Sequence, residues 1–216
     1  MAEPAVTIVI AAYCAEKTLM RAVRSASAQT VPVEIVIVDD CSTDDTYDIA
    51  MNLALSDTHI HAYRMDQNSG PGAARNLGVS KSTTPWVAIL DSDDFMVSDR
   101  IEQLLSQANA GNFDLLADDI YRVTDTNLTA TDRPLFGGVD NGPRDLGLAD
   151  FIAGNLRAGT GQRGQLGFVK PILRRQFLID KGLRYASDMR LAEDYFLYAQ
   201  ALIAGARFGL TDPCGY

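Results

Sequence analysis

The chain has 216 residues, 47% hydrophobic and 22% charged, a balance ordinary for a soluble globular protein built on one core. Nineteen Lys and Arg against 28 Asp and Glu give a formal net charge of -9 at pH 7. That acidity argues against broad nucleic-acid binding, and no stretch approaches the ~20 apolar residues of a membrane span.

The start, Met1-Ala2-Glu3-Pro4, lacks a basic n-region, so no secretory leader is expected. Ala5 to Ala12 reads as a buried strand. Glu16 to Gln29 is helical, with Leu19, Met20, Val23 and Ala26 at three- and four-residue spacing. Val33 to Val38 is the second strand. Ser42 is expected to cap the next helix, with Asp45 as its capping-box partner, and that helix runs to about Leu55. His59 to Met65 is a third strand, Gly70-Pro71-Gly72 a turn into the helix Ala73 to Val79, and Trp86 to Leu90 a fourth strand. Strand and helix thus alternate as far as Asp94, the pattern of a parallel α/β sheet with helices on both faces.

Beyond Asp94 the texture changes. Asp99 to Ala110 is a helix and Asp114 to Arg122 is strand-like. Thr124 to Arg144, rich in Thr, Asp, Asn, Gly and Pro, reads as a long loop or irregular hairpin. Asp150 to Asn155 is a short helix, Gly167 to Ile172 a strand, Arg174 to Asp180 a helix, Glu193 to Ala204 a helix and Ala206 to Leu210 a last strand. Arg157, Arg163, Lys170, Arg174 and Arg175 make this half locally basic, a solvated surface or a pocket.

Three cysteines, Cys14, Cys41 and Cys214, form no CxxC pair, which suits a reducing cytoplasm rather than a disulfide framework. The only histidines, His59 and His61, are too few for a zinc site.

Acidic clusters organise the chemistry. Asp39-Asp40 ends the apolar run Ile35 to Val38, and Asp91-Ser92-Asp93-Asp94 ends the run Trp86 to Leu90. Carboxylates just past buried strands lie where open α/β sheets bind ligands. Crowded there in an already acidic protein, they call for a cation or a proton. An EF-hand reading of Asp40, Ser42 and Asp44 fails, because its sixth and twelfth positions hold Asp45 and Met51 instead of Gly and Glu. Gly70-Pro71-Gly72-Ala73-Ala74-Arg75 misses the GxGxxG pattern at its last position. Arg75 nonetheless stands in a first helical turn with a fork of donors suited to phosphate. At the strand end, Asp91 and Asp93 divide between a divalent cation, Mg²⁺ or Mn²⁺, and a sugar hydroxyl or water. An Asp-x-Asp phosphatase would want Gly and then Thr or Val next and its nucleophile on an early strand, whereas here Asp94-Phe95 follow the fourth. A third cluster, Glu193-Asp194, opens a helix. It reads as favourable charge at a helix N-terminus or, functionally, as Asp194 acting as a general base.

Together these segments resemble an inverting family-2 glycosyltransferase of the GT-A fold. The resemblance runs through Val6 to Tyr13, Val38 to Thr46, Asn68 to Asn76, Leu90 to Asp94 and Leu191 to Asp194. Gly167 to Pro171 and Leu183-Arg184-Tyr185 are similar to bacterial exopolysaccharide transferases such as those that build succinoglycan. The resemblance implies an α/β, GT-A (nucleotide-diphospho-sugar transferase) fold with a mostly parallel central sheet flanked by helices. It implies a single domain, with a nucleotide-sugar-binding half over 1–94 and an acceptor-binding half over 95–216. Ala11 and Tyr13 would line the base, Asp40 bind its ring nitrogen, Arg75 approach the nucleotide, and Asp91 and Ser92 meet the ribose or donor sugar. Asp93 would hold Mn²⁺ or Mg²⁺, Asp194 act as base, and Asp39, Asp94 and Glu193 support the site. The expected partners are a nucleotide-diphosphate sugar, UDP-linked, and a glycan or lipid-linked acceptor, with no nucleic acid. The expected location is the cytoplasm or the inner face of the membrane. A nucleotide-sugar-binding module without catalysis is the alternative on the same fold. The family pattern has Asn where Cys14 stands and continues past Tyr216 with a basic segment, so the chain reads as truncated at its C-terminus.

Overall fold

The structure, a computed structural model, describes residues 3–121, 123, 142–156, 166–212 and 215–216. Its first half follows the alternation: β1 (Val6–Ala12), α1 (Leu19–Ser27), β2 (Val33–Asp39), α2 (Thr46–Ser56), β3 (Ile60–Arg64), α3 (Pro71–Lys81) and β4 (Trp86–Ile89). The second half adds α4 (Arg100–Gly111), β5 (Leu115–Asp118), β6 (Arg144–Asp145), α5 (Leu148–Ala153), β7 (Ile172–Arg174), α6 (Arg175–Asp180), α7 (Glu193–Ile203) and β8 (Phe208–Thr211). All eight strands join one sheet in the order β3-β2-β1-β4-β7-β5-β8-β6. The first four strands pair in parallel, β7 runs antiparallel between β4 and β5, β5 and β8 are parallel, and β6 is antiparallel to β8.

Burial on both faces explains why the strands read as unbroken apolar runs rather than alternations. Val6, Ile8 and Ile10 of β1 pack with Leu19, Ala22 and Val23 of α1, Ala50 of α2 and Ile101 and Leu104 of α4. Val9, with Val36 and Val38 of β2, faces Ala74 of α3, Phe151 of α5, Leu178 of α6 and Leu197 and Tyr198 of α7.

Chain order reverses at β1. Successive units place β2 and β3 on one side, and α3 then carries the chain back to β4 on the other. Such a switch point opens a crevice at the carboxyl ends of the strands, the usual ligand site of open α/β sheets. Register fixes which residues reach it: Ala12 pairs with Asp39, and the Leu90 N–H donates to the Val9 carbonyl at 3.0 Å. Tyr13, Asp40 and Asp91 therefore leave the sheet at one edge.

Several sequence expectations are corrected. Ser42 does not cap α2, which begins at Thr46. The Ser42 hydroxyl instead accepts from the Cys14 N–H at 2.9 Å. Asp44 takes the local role, accepting from the Thr46 N–H at 3.1 Å and from its hydroxyl at 2.6 Å. α1 starts at Leu19, three residues later than expected. Of the strand expected over 167–172 only Ile172 belongs to one: Leu166–Phe168 forms a 3-10 turn, and β7 starts at Ile172, one residue past Pro171, which has no N–H to give a ladder. Arg144, expected in the loop, pairs with Leu210. Residues 124–141 of that loop, Arg157, Arg163 and Cys214 lie outside the described residues.

Candidate active site

Two loops wall the crevice beside β1. Asp39 is fully buried; it accepts from the Ser42 N–H at 3.2 Å and pairs with Arg64 Nε at 3.3 Å. Asp40 accepts from the Ser69 N–H and the Gly70 N–H, both at 2.8 Å and one on each oxygen. Asp40 thus clamps the loop that feeds α3 onto the end of β2, with lone pairs left for a ligand. Ala11 is half-buried at the end of β1, and the Tyr13 ring is 52% exposed at the lip. Cys14 and Cys41 hold left-handed backbones, φ 49° and 60°. Asn tolerates that region well, which gives a physical reason for the Asn that the resemblance leads one to expect at Cys14.

α3 is set by glycines. Gly70 has φ 90°, a conformation that a side chain would strain, and Pro71 opens the helix. A Cβ on Gly72 would lie 2.8 Å from the Ala186 carbonyl oxygen, so the helix can approach that segment only without one. Asn76 fixes the contact in both directions: its amide donates to the Tyr185 carbonyl at 2.8 Å and its oxygen accepts from the Tyr185 N–H at 2.9 Å.

This packing buries Arg75 against three carboxylates. Nη2 meets Asp91 Oδ1 at 2.7 Å, while Nη1 meets Glu193 Oε1 at 2.6 Å and Asp194 Oδ1 at 3.1 Å. The guanidinium lies over the Tyr185 ring, 5.5 Å from its centroid. Lys170 completes the arrangement, with Nζ 2.5 Å from Asp194 Oδ2 and 3.1 Å from Asp91 Oδ2. Asp91 and Asp194 each place one oxygen on Arg75 and the other on Lys170, closing a ring of four charges. Burial opposes the charge on both cations, and the carboxylates outweigh it. Asp194 and Asp91 hold Arg75 well above its ordinary value, and Asp91 and Asp194 raise Lys170. Burial would raise Asp91, but Lys170 and Arg75 bring its carboxyl down to about 2.

The rest of the acidic strand end behaves differently. The Asp91 N–H donates to the Tyr216 hydroxyl at 3.0 Å. Burial first, then Asp91 and Asp93, push the Asp94 carboxyl up to about 6, against a hydrogen bond from Tyr216. Ser92 is half-buried between them. Asp93 is exposed; its carbonyl accepts from Arg21 Nη2 at 2.5 Å, and its carboxylate has no partner among the described residues. An exposed carboxylate without a partner, next to one whose carboxyl is raised by burial and by neighbouring carboxylates, fits a hard divalent cation. Among the described residues no three His, Cys, Asp or Glu side chains already form a cage. The chain would thus offer Asp93 and leave other positions to ligand oxygens, as Mg²⁺ sites commonly do.

Beside the start of α7 a cleft of about 170 Å³ is lined by Ile152, Leu156, Phe168, Leu191 and Tyr195, among others. Four of these side chains are exposed, from Ile152 at 40% to Leu191 at 68%. Ala192, also in its wall, takes a left-handed φ of 66° that starts α7 and brings Glu193 and Asp194 inward.

The structure thus brings together Arg75, Asp91, Glu193 and Asp194. It places Tyr13 and Asp40 at the same edge and Asp93 beside it. Sequence reasoning missed Lys170, Tyr185 and Tyr216 as members of the site. For Lys170 a signal existed: it is the sole ionisable residue in Gly167 to Leu173, and lysine is rarely buried unpaired.

Comparison with known proteins bears on the family and the fold. The sequence profile described as glycosyl transferase family 2 matches residues 7–163. The succinoglycan biosynthesis protein ExoU of Rhizobium meliloti (strain 1021) is 40% identical over 98% of this chain, which spans 60% of that relative's length. Solved structures share the fold, two of them as follows. One is residues 1–349 of TarS from S. aureus with UDP-GlcNAc, at TM-score 0.75 and 20% identity over 95% of this chain and 55% of that one. The other is the mannosyltransferase PcManGT from Pyrobaculum calidifontis with GDP-Man and Mn2+, at TM-score 0.66 and 17% identity over 98% and 55%. The fold is GT-A, and by the profile match over most of its length the chain belongs to glycosyl transferase family 2.

Proposed function

We propose that this chain is an inverting, divalent-cation-dependent glycosyltransferase domain. It would move a sugar from a nucleoside-diphosphate donor, taken to be UDP-linked, to a hydroxyl of a glycan or lipid-linked acceptor in polysaccharide synthesis. The observation that carries this reading is the pairing of Asp91, at the strand-end crevice, with Asp194, at the start of α7, through Arg75 and Lys170. It sets a donor-side acid beside a candidate base far away in sequence. The relatives support the substrate classes. ExoU is named for succinoglycan biosynthesis, TarS was crystallised with UDP-GlcNAc, and an E. coli relative is named as acting from UDP-Glc on a diphosphoundecaprenol-linked sugar.

In this reading the donor half runs to Asp94 and the acceptor half follows it, within one domain. The exposed Tyr13 ring stacks on the base, Ala11 lines it, and Asp40 uses its remaining lone pairs on the ring nitrogen. Asp91 and Ser92 meet ribose or donor sugar. A divalent cation held by Asp93 would supply positive charge to the departing diphosphate. The acceptor enters past the apolar cleft beside α7, and Asp194 takes the proton of its hydroxyl. The hydroxyl oxygen bonds to the anomeric carbon as the bond to the nucleoside diphosphate breaks, so configuration inverts. Glu193 and Arg75 hold Asp194 in line, a matter of positioning before proton transfer. The reaction would take place in the cytoplasm, at the inner membrane face for a lipid-linked acceptor. No helix among the described residues is long and apolar enough to cross a membrane.

Calorimetric titration of UDP, with GDP as control and with or without Mn²⁺, tests the donor site. The expected result is binding of UDP that strengthens with metal; absence of binding to either nucleotide would overturn the reading. Asp194→Asn is then expected to keep UDP affinity while transfer falls by ~10²–10⁴-fold, the usual worth of a general base.

A further inference from the structure

The closed ring leaves the candidate base covered. Asp194 is 7% exposed and Lys170 5%, and each Asp194 oxygen already faces a cation. Unlike Asp40, which meets only neutral N–H groups, Asp194 is charge-paired on both oxygens, so a hydroxyl meets an uncompensated base only when one cation withdraws. Arg75 is poorly placed to move, since it holds three carboxylates, lies over Tyr185 and rides on a helix pinned by Asn76. Lys170 differs. Its backbone is fixed, because its carbonyl accepts from Arg100 Nη2 at 2.6 Å, yet its ammonium sits on a four-carbon stem with rotatable donors. One of its two partners is Asp91, on the donor side of the ring. Arg75 meets three carboxylates and Lys170 only two, so of the two positive charges the ammonium is the more transferable to an arriving diphosphate. The Tyr185 hydroxyl is buried beside these charges without a hydrogen-bond partner among the described residues. It is a donor free to take up an interaction when the ring opens.

We infer that Lys170 couples the two substrates: without donor it shields Asp194, and when a nucleoside diphosphate binds at Asp91 its ammonium turns to the diphosphate and exposes the base. The inference rests on the transferase reading above. No bond is made or broken in the switch; an ion pair with a carboxylate is exchanged for one with phosphate oxygens. Lys170 is thus a positioning residue for the base as well as a contact for the donor, and it orders binding so that the base is uncovered only beside a loaded donor.

The test uses the full chain and two readouts. UDP and uridine are titrated calorimetrically against wild type, Lys170→Met and Lys170→Arg, with thermal melts to confirm folding. Loss of a charge-assisted contact to the diphosphate is expected to weaken UDP about tenfold or more in Lys170→Met, to leave uridine unchanged, and to be largely restored by Arg. In parallel, Asp194 is labelled with a water-soluble carbodiimide and an amine and quantified by mass spectrometry, with the exposed Asp188 as internal reference. In wild type, UDP should raise Asp194 labelling several-fold; in Lys170→Met, labelling should be fast with or without UDP. Equal losses for UDP and uridine, or wild-type labelling indifferent to UDP, would overturn the coupling while the donor site stands. Failure of wild type to bind UDP at all would instead remove the transferase reading and the coupling with it. If Lys170→Met fails to fold, Lys170→Gln takes its place in both readouts.

Discussion

Acid should dismantle the charge ring in a way that one residue reports. Asp91 has its carboxyl lowered from an ordinary 3.8 to about 2 by Lys170 and Arg75. A depressed acid stabilises the fold above its unfolded value and loses that contribution as pH falls through the folded one. The fall from 3.8 to about 2, at about 1.4 kcal/mol per pH unit, is about 2 kcal/mol, present above pH ~5 and about half lost by pH ~3. Asp94 works in the opposite sense. Its carboxyl is raised to about 6, so its protonated form favours the fold at low pH, and that contribution is lost as pH rises through about 6. Because Asp91 helps to raise Asp94, the comparison is made between Asp94→Asn and the double variant Asp91→Asn with Asp94→Asn. Urea unfolding from pH 6 to pH 3 gives the two stability curves. Asp94→Asn should be the more stable at pH 6, with the gap narrowing by about 1 kcal/mol at pH 3 as Asp91 protonates. Parallel curves would refute the placement of Asp91 between Arg75 and Lys170.

Asp93→Ala is expected to leave metal-free UDP affinity nearly unchanged and to abolish its enhancement by Mn²⁺; calorimetry that still shows the full metal response would move the metal ligand elsewhere. Gly72→Ala should cost about 1–3 kcal/mol by overpacking in urea unfolding, because its Cβ would press on the Ala186 carbonyl, and a neutral result would mean that the α3 contact yields easily. Arg100→Met should be the harsher change, about 3–5 kcal/mol, since fully buried Arg100 holds both oxygens of the equally buried Asp118, at 2.9 and 2.5 Å. Its thermal midpoint should fall accordingly, and one within a degree of wild type would contradict that buried pair.

The parallel half was legible because burial on both faces writes itself as unbroken runs such as Ile35 to Val38, closed by carboxylates at the crevice. Local chemistry misled where a side chain had a distant use. Ser42 has the residue type and spacing of a cap, but its hydroxyl serves the Cys14 N–H of the neighbouring loop, a contact between residues 28 apart in the chain. The same distance effect hid Lys170. In sequence it belongs to a basic stretch that reads as surface, and only the insertion of β7 between β4 and β5 carries it to Asp91 and Asp194. Arg75 was expected to approach the nucleotide, and its burial against three carboxylates, which depends on α7 arriving from the far end of the chain, could not be read from its own segment. Short strands were the least legible: β6 and β7 have two and three residues, too few to show a period.

The acidic clusters that dominate the sequence prove unequal once their partners are known. Asp39 and Asp40 are met by backbone N–H groups and Arg64, so their charge is absorbed into the architecture that shapes the crevice. Asp91, Glu193 and Asp194 are met by Arg75 and Lys170, so theirs is held in reserve in a ring that a new anion can disturb. Asp93 and Asp94 make no ion pair among the described residues, and burial with the neighbouring carboxylates raises the Asp94 carboxyl to about 6. A site whose other carboxylates already have partners directs an incoming cation to one place. That place adjoins Asp91, whose Lys170 partner is the cation a diphosphate can most easily claim. Cation and diphosphate would therefore arrive as mutual ligands on adjacent residues, which links the metal dependence proposed for donor binding to the uncovering of Asp194.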